Sequence, residues 1–137
     1  MLKQNSKLVA VVEDDRHINE LICYNLAKEN FLPTSIFDGK EAEKILSEEH
    51  YDIVILDLML PGLDGFSICR NLKSRPDSHK TFVVILSARS SEQDKMLAQL
   101  LGADGYLTKP FSINSLMNLI KEFSNMLDKK VTVVCKK

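Results

Sequence analysis

The sequence predicts an α/β domain built as a doubly wound five-stranded parallel sheet with five helices. Three observations carry this expectation. Short strand-like runs, rich in β-branched residues at 8–12, 53–56 and 82–86, recur around positions 8–12, 33–37, 53–56, 82–86 and 105–107. Between them lie longer stretches whose apolar residues return at helical spacing. Finally, the runs end in polar groups of related chemistry, which is unusual for strands that merely fill a core. Strands alternating with helices in this way call for a parallel sheet with right-handed crossovers and helices on both faces.

Each element has its own signature. The run 8–12 ends in Glu13-Asp14-Asp15, and from Arg16 to Glu29 the apolar Ile18, Leu21, Ile22 and Leu26 fall at helical spacing. Residues 33–37 read as a second strand, after which Asp38 and Glu41 make a capping box for a helix turning Ala42, Ile45 and Leu46 inward. The third run, 53–56, places β-branched residues at three of its four positions, as in strands covered on both faces, and stops on Asp57. Pro61 and Gly62 then break regular structure, and Asp64 is the N-cap expected for a helix carrying Phe66, Cys69 and Leu72.

A polar loop, 74–80, leads to the fourth strand, 82–86, which ends in Ser87-Ala88-Arg89. Ser90 or Ser91 is expected to cap a helix whose Met96, Leu97, Leu100 and Leu101 face the core, with Gly102 ending it. The short fifth strand, 105–107, runs into Thr108-Lys109-Pro110. Ser112 caps the last helix, where Ile113, Leu116, Met117, Ile120, Phe123 and Leu127 form the apolar stripe. Leu119, Phe123 and Met126 widen that stripe, marking either a partner surface or the edge of the core. Residues 1–128 are therefore read as the domain, and 129–137 as a basic tail, a linker or an extra strand.

Composition narrows the function. At 137 residues the chain fits one domain whose core needs no disulfide or metal staple. A net charge of −1 gives no general pull toward nucleic acid or anionic membrane. Cys23, Cys69 and Cys135 are odd in number and widely spaced, which fits neither a disulfide framework nor a zinc site and points to the reducing cytoplasm. The N-terminal MLKQNSK lacks the apolar core of a signal peptide, and no stretch is apolar enough to span a membrane. His17, His50 and His79 lie in helix-end or loop contexts, and no Ser-His-Asp or Cys-His set is evident.

Parallel strands point their carboxyl ends to one edge of the sheet. Glu13, Asp14, Asp57, Ser87 and Lys109 should therefore meet there, and Asp57, at the mouth of a buried strand, is read as the reactive residue. Three clustered carboxylates repel one another unless a cation relieves them. Magnesium, with manganese as the substitute, suits an all-oxygen site of this kind. A cation, an ammonium and a hydroxyl around one nucleophilic carboxylate suit phosphoryl transfer. Dinucleotide binding is disfavoured because Glu-Asp-Asp occupies the first strand-helix turn, where a glycine-rich loop would be needed. Met59, two residues after Asp57, argues against phosphatases and ATPases that need a second acid there.

The set VVEDD, ILDLMLPGLDG, LSAR and GADGYLTKPF, in this order and spacing, resembles the receiver domain of bacterial two-component response regulators over roughly residues 7–128. The resemblance implies a flavodoxin-like sheet of order 2-1-3-4-5. It implies that Asp57 accepts a phosphoryl group from a sensor histidine kinase or phosphotransfer protein. Asp14, Asp57 and the backbone carbonyl of Met59 would bind magnesium, with Glu13 acting through a bound water. Lys109 would pair with the phosphoryl oxygens, and the Lys109-Pro110 peptide would be cis. Ser87 and Tyr106 match the hydroxyl and aromatic switch positions, and the output would be carried by the face of the fourth helix, fifth strand and fifth helix toward an output protein or domain.

The same likeness implies a phosphoacceptor signalling domain whose only catalysis is its own phosphorylation and dephosphorylation. Direct nucleic-acid or membrane binding is not expected. A monomer or a weak phosphorylation-dependent dimer is. The alternative is a phosphorylation-independent scaffold of the same fold, against which the complete set of phosphoryl-transfer residues speaks. Gly105, Asn118 and Ser124 depart from the charged residues of salt-bridged receiver dimers, and Ser87 replaces the more usual threonine. Pairing with a kinase is expected to depend on surface residues of the first helix such as Asn19, Ile22 and Cys23.

Overall fold

β-branched residues fill the centre of a five-stranded parallel sheet. The computed structural model describes residues 6–77 and 80–136, apart from the side chains of residues 63 and 130–136; His79 and the side chain of Cys135 lie outside the described residues. The sheet strands are β1 (Leu8–Val12), β2 (Leu32–Ile36), β3 (Ile53–Asp57), β4 (Phe82–Ser87) and β5 (Gly105–Thr108). In space they run β2-β1-β3-β4-β5, all parallel, the order the resemblance implies. The connecting helices are α1 (Arg16–Lys28), α2 (Gly39–Glu48), α3 (Gly65–Lys73) and α4 (Glu92–Leu100), and α5 (Ile113–Lys136) follows β5. A two-residue ribbon, Met59–Leu60 against Leu63–Asp64, stands apart from the sheet.

Alternation along the central strands builds two cores. Val54, Leu56, Val83 and Ile85 face α2, α3 and α4, whereas Ile53, Ile55, Val84 and Leu86 face α1 and α5. Every residue of β3 and β4 is buried, so neither strand can show the alternation of a half-solvated sheet. Each fully buried aliphatic side chain contributes about 1.5–3 kcal/mol. Pro33 is tolerated because β2 is an edge strand, where a missing N–H leaves no ladder bond broken.

Three expectations need correction. The second strand begins and ends one residue earlier than expected, since Leu32 already pairs with Leu8. In α4 only Ala98 is fully buried, while Met96, Leu97 and Leu100 are 60%, 42% and 80% exposed. The helix lies against the edge strand β5, where a small residue suffices for contact; the apolar period counted on the wrong face. On α1, Asn19 and Ile22 are buried and Cys23 is half-buried, while Leu21 is half exposed; Asn19, Ile22 and Leu26 form the inward stripe, so the first two are not surface residues for a kinase.

The tail, 129–137, is read from the sequence as a basic tail, a linker or an extra strand. Its backbone continues α5 to Lys136 instead of forming an extra strand. Extending an existing helix adds one hydrogen bond per residue with no new nucleation, and no glycine or proline interrupts 113–136. Caps fall as expected at Asp38, Asp64 and Ser91, whose side chains accept from the backbone N–H of Glu41, Phe66 and Asp94. Phe123 is buried and stacks on Phe82 with centroids 4.5 Å apart, Leu119 is half-buried, and Met126 is exposed.

Candidate functional site

The register of the sheet brings the strand endings together. Asp57 closes β3 opposite Leu86, and Ser87 closes β4 opposite Thr108, one residue before Lys109. Glu13 follows β1, its N–H donating to Ile36 O at 3.0 Å. The sequence-predicted site residues therefore meet at the carboxyl edge. Carboxylate oxygens of Glu13, Asp14 and Asp57 all lie within 4.8 Å of one another.

Within this cluster the groups differ in setting. Glu13 is fully buried and Asp57 is 4% exposed, whereas Asp14 is exposed. Asp57 Oδ1 accepts from the N–H of Met59 at 3.0 Å, and its Oδ2 accepts from Lys109 Nζ at 3.2 Å. Lys109 Nζ also lies 2.7 Å from Glu13 Oε1. Its backbone N–H donates to Ser87 O at 2.7 Å, and the Lys109-Pro110 peptide is cis. Ser87 is buried, and its Oγ accepts from Arg89 N–H at 3.0 Å. Tyr106, half-buried, donates its hydroxyl to Arg89 O at 2.8 Å. The Arg89 guanidinium is held away from the acids by Asp94, with Nη2 to Oδ1 at 2.8 Å, and stands 5.8 Å from the Phe66 ring.

One ammonium thus faces three carboxylates. Burial, reinforced by the charge of Asp57, pushes the Glu13 carboxyl up to about 7 against the opposing pull of Lys109 and the Asp15 N–H. Burial would lower the Lys109 ammonium, but Glu13 and Asp57 together outweigh it and raise the group above its ordinary value. The set fits a hard divalent cation. It offers only oxygen ligands, with carboxylate oxygens of three acids within 4.8 Å of one another, and the buried Glu13 Oε1 is already met by Lys109.

Sequence reasoning missed one member of this edge. Asn19 of α1 is fully buried and its Nδ2 reaches Glu13 O at 3.0 Å. Its position on the stripe with Ile22 and Leu26 was the available signal.

A doubly wound parallel sheet with a carboxylate cluster and a lysine at its carboxyl edge is the architecture of flavodoxin-like signalling domains. Residues 9–121 match the family model described as response regulator receiver domain, and the chain belongs to this family. It is 42% identical over 113 residues to the phosphate regulon transcriptional regulatory protein PhoB of Rhizobium meliloti (strain 1021), a match covering 82% of this chain and 50% of that protein. The chain thus spans about half the length of this relative. Among solved structures, the receiver domain of the Francisella response regulator 1452 superposes with a TM-score of 0.81 at 35% identity, covering 88% of this chain and 98% of that one. The BeF3-activated DrrB receiver domain superposes with a TM-score of 0.78 at 30% identity, covering 86% and 97%. As a receiver domain, the chain is a signalling domain. Among the described residues no helix is long and apolar enough to cross a membrane.

Proposed function

We propose that this chain receives a phosphoryl group on Asp57 from the phosphohistidine of a sensor kinase or phosphotransfer protein, in a magnesium-dependent reaction in the cytoplasm. The observation that carries the reading is the placement of Lys109 Nζ, 3.2 Å from Asp57 Oδ2 and 2.7 Å from Glu13 Oε1, beside the three-carboxylate cluster. In the transfer a carboxylate oxygen of Asp57 forms a bond to phosphorus as the P–N bond to the imidazole breaks, and the imidazole keeps the electron pair and takes up a proton. Asp14, Asp57 and the Met59 carbonyl would hold the cation, with Glu13 one water further out. When bound, the cation offsets carboxylate charge and stabilises the phosphoryl oxygens.

The chain's own residues supply the rest. The Met59 N–H holds Asp57 Oδ1, which fixes the carboxylate plane. Lys109 provides a charge for a phosphoryl oxygen in place of its present contact with Asp57. Ser87 can turn its hydroxyl to donate to a phosphoryl oxygen and give up the bond it accepts from the Arg89 N–H, which loosens the peptide that Tyr106 also grips. That linkage carries the change to the α4-β5-α5 face, where Met96, Leu97 and Leu100 stand exposed. An output protein or output domain is the recipient. The likeness to a transcriptional regulator of which the match covers only half favours a DNA-binding output carried outside residues 1–128, with 129–137 leading toward it.

Incubation with acetyl phosphate, with magnesium and with chelator, tests the reading by intact mass. One added phosphoryl group that requires magnesium and is lost in Asp57→Asn is expected. No addition to folded protein would leave the scaffold alternative in its place.

A further inference from the structure

We propose that Asn19 is a positioning residue that sets the acidic turn for the divalent cation, an inference that rests on the magnesium-dependent reading above. Among the described residues five polar ones are buried: Glu13, Asn19, Asp57, Thr81 and Ser87. Three belong to the site, and Thr81 hydrogen-bonds Tyr51 O away from it. Asn19 is the one left without an evident task.

Its surroundings define the task. Asn19 Nδ2 lies 3.1 Å from Val11 O, 3.0 Å from Glu13 O and 3.3 Å from Ile36 O. An amide nitrogen carries two hydrogens, so one is shared among these acceptors. Turned over, the amide would set its own oxygen against three carbonyls, so its orientation is determined. Its Oδ1 accepts the Cys23 thiol at 3.3 Å, and the same sulfur lies 3.1 Å from Ser35 Oγ on β2. A single side chain therefore joins the end of β1, the acidic turn and the end of β2.

The consequence falls on Glu13 and Asp14. The Glu13 N–H is held by Ile36 O and its carbonyl by Asn19, so both peptide units flanking Glu13 are anchored. Among the described residues the Asp14 side chain makes no hydrogen bond or ion pair, so its position follows the backbone of this turn. Without the amide, three buried carbonyls share no donor from α1, and the turn is free to relax away from Asp57. Partners that orient metal-binding groups typically change affinity by about ten- to a hundredfold when removed.

The test compares wild type with Asn19→Leu, which keeps the volume and removes the amide. Magnesium chloride titrations followed by amide NMR shifts give the affinity, and acetyl phosphate rates against magnesium concentration give half-saturation and maximal rate separately. Ile22→Ala, a core change one turn along α1, controls for general loosening. The expected result is magnesium binding weakened about tenfold or more in Asn19→Leu, with the maximal rate at saturating magnesium largely kept and the Ile22→Ala affinity unchanged. If Asn19→Leu does not fold, Asn19→Ser, which keeps one donor, decides with a smaller shift in the same direction. Magnesium affinity equal to wild type in the folded variant, or an equal loss in Ile22→Ala, overturns the proposal. A wild type that neither binds magnesium nor takes up phosphoryl overturns the underlying reading itself.

Discussion

Helices α4 and α5 are neighbours of the same edge strand, yet they are held very differently. α5 sends Leu116, Met117, Ile120 and Phe123 into the core, with Phe123 stacked on Phe82. α4 sends only Ala98, and exposes Met96, Leu97 and Leu100. The contacts that hold the loop before α4 are polar and local: Ser87 Oγ to Arg89, Arg89 to Asp94, Tyr106 to Arg89 O. Few buried apolar groups and exchangeable hydrogen bonds mark a segment that can rearrange at small cost, whereas the α5 side supplies stability. The same division applies to charge, since the excess of carboxylates sits at the edge from which the α4 loop springs.

The largest effect is expected at Phe123. Phe123→Ala should cost about 3–5 kcal/mol in urea unfolding, because it removes a buried stacked ring and leaves a cavity. A cost similar to that of any α4 substitution would break the contrast. Next, Ala98→Leu should destabilise by about 1–3 kcal/mol through overpacking at the one place where α4 meets the core.

Charge gives a third test. The Glu13 carboxyl is raised from 4.5 to about 7 in the folded chain, so between those values the folded state binds more protons than the unfolded one. Its contribution to stability is therefore fully present below pH 4.5 and is lost as pH rises through about 7. The slope is at most about 1.4 kcal/mol per pH unit, measured by unfolding at low salt without divalent ions, and Glu13→Gln should flatten it. Magnesium should stabilise more at pH 8 than at pH 5, since it favours the ionised form. Smallest of all, Leu100→Ala should change stability by less than about 0.5 kcal/mol, because that side chain is 80% exposed. A loss of several kcal/mol there would show that α4 is held by its apolar residues after all.

These contrasts explain what the sequence made legible. The central strands could be read because buried strands leave uninterrupted β-branched runs, and the edge chemistry because strand polarity alone collects Glu13, Asp14, Asp57, Ser87 and Lys109 at one edge. Leu101 packs on the core as expected, but Met96, Leu97 and Leu100 were misread because they satisfy a helical period whichever way the helix faces, and only packing against β5 selects Ala98. Asn19 escaped for the opposite reason: a polar residue on an inward stripe looks like surface until its three carbonyl partners are seen. The tail's composition leaves a basic tail, a linker or an extra strand open; a strand needs a partner edge, while a helix already running needs only the next residue.

Amide hydrogen exchange, read on the chain alone and on the chain loaded with magnesium and beryllofluoride to full occupancy by mass, tests the central claim most directly. The account predicts altered protection at residues 57–60 and 87–106, with Leu116–Phe123 unchanged. Full loading without any change in the α4 segment, or with equal change across α5, would contradict it.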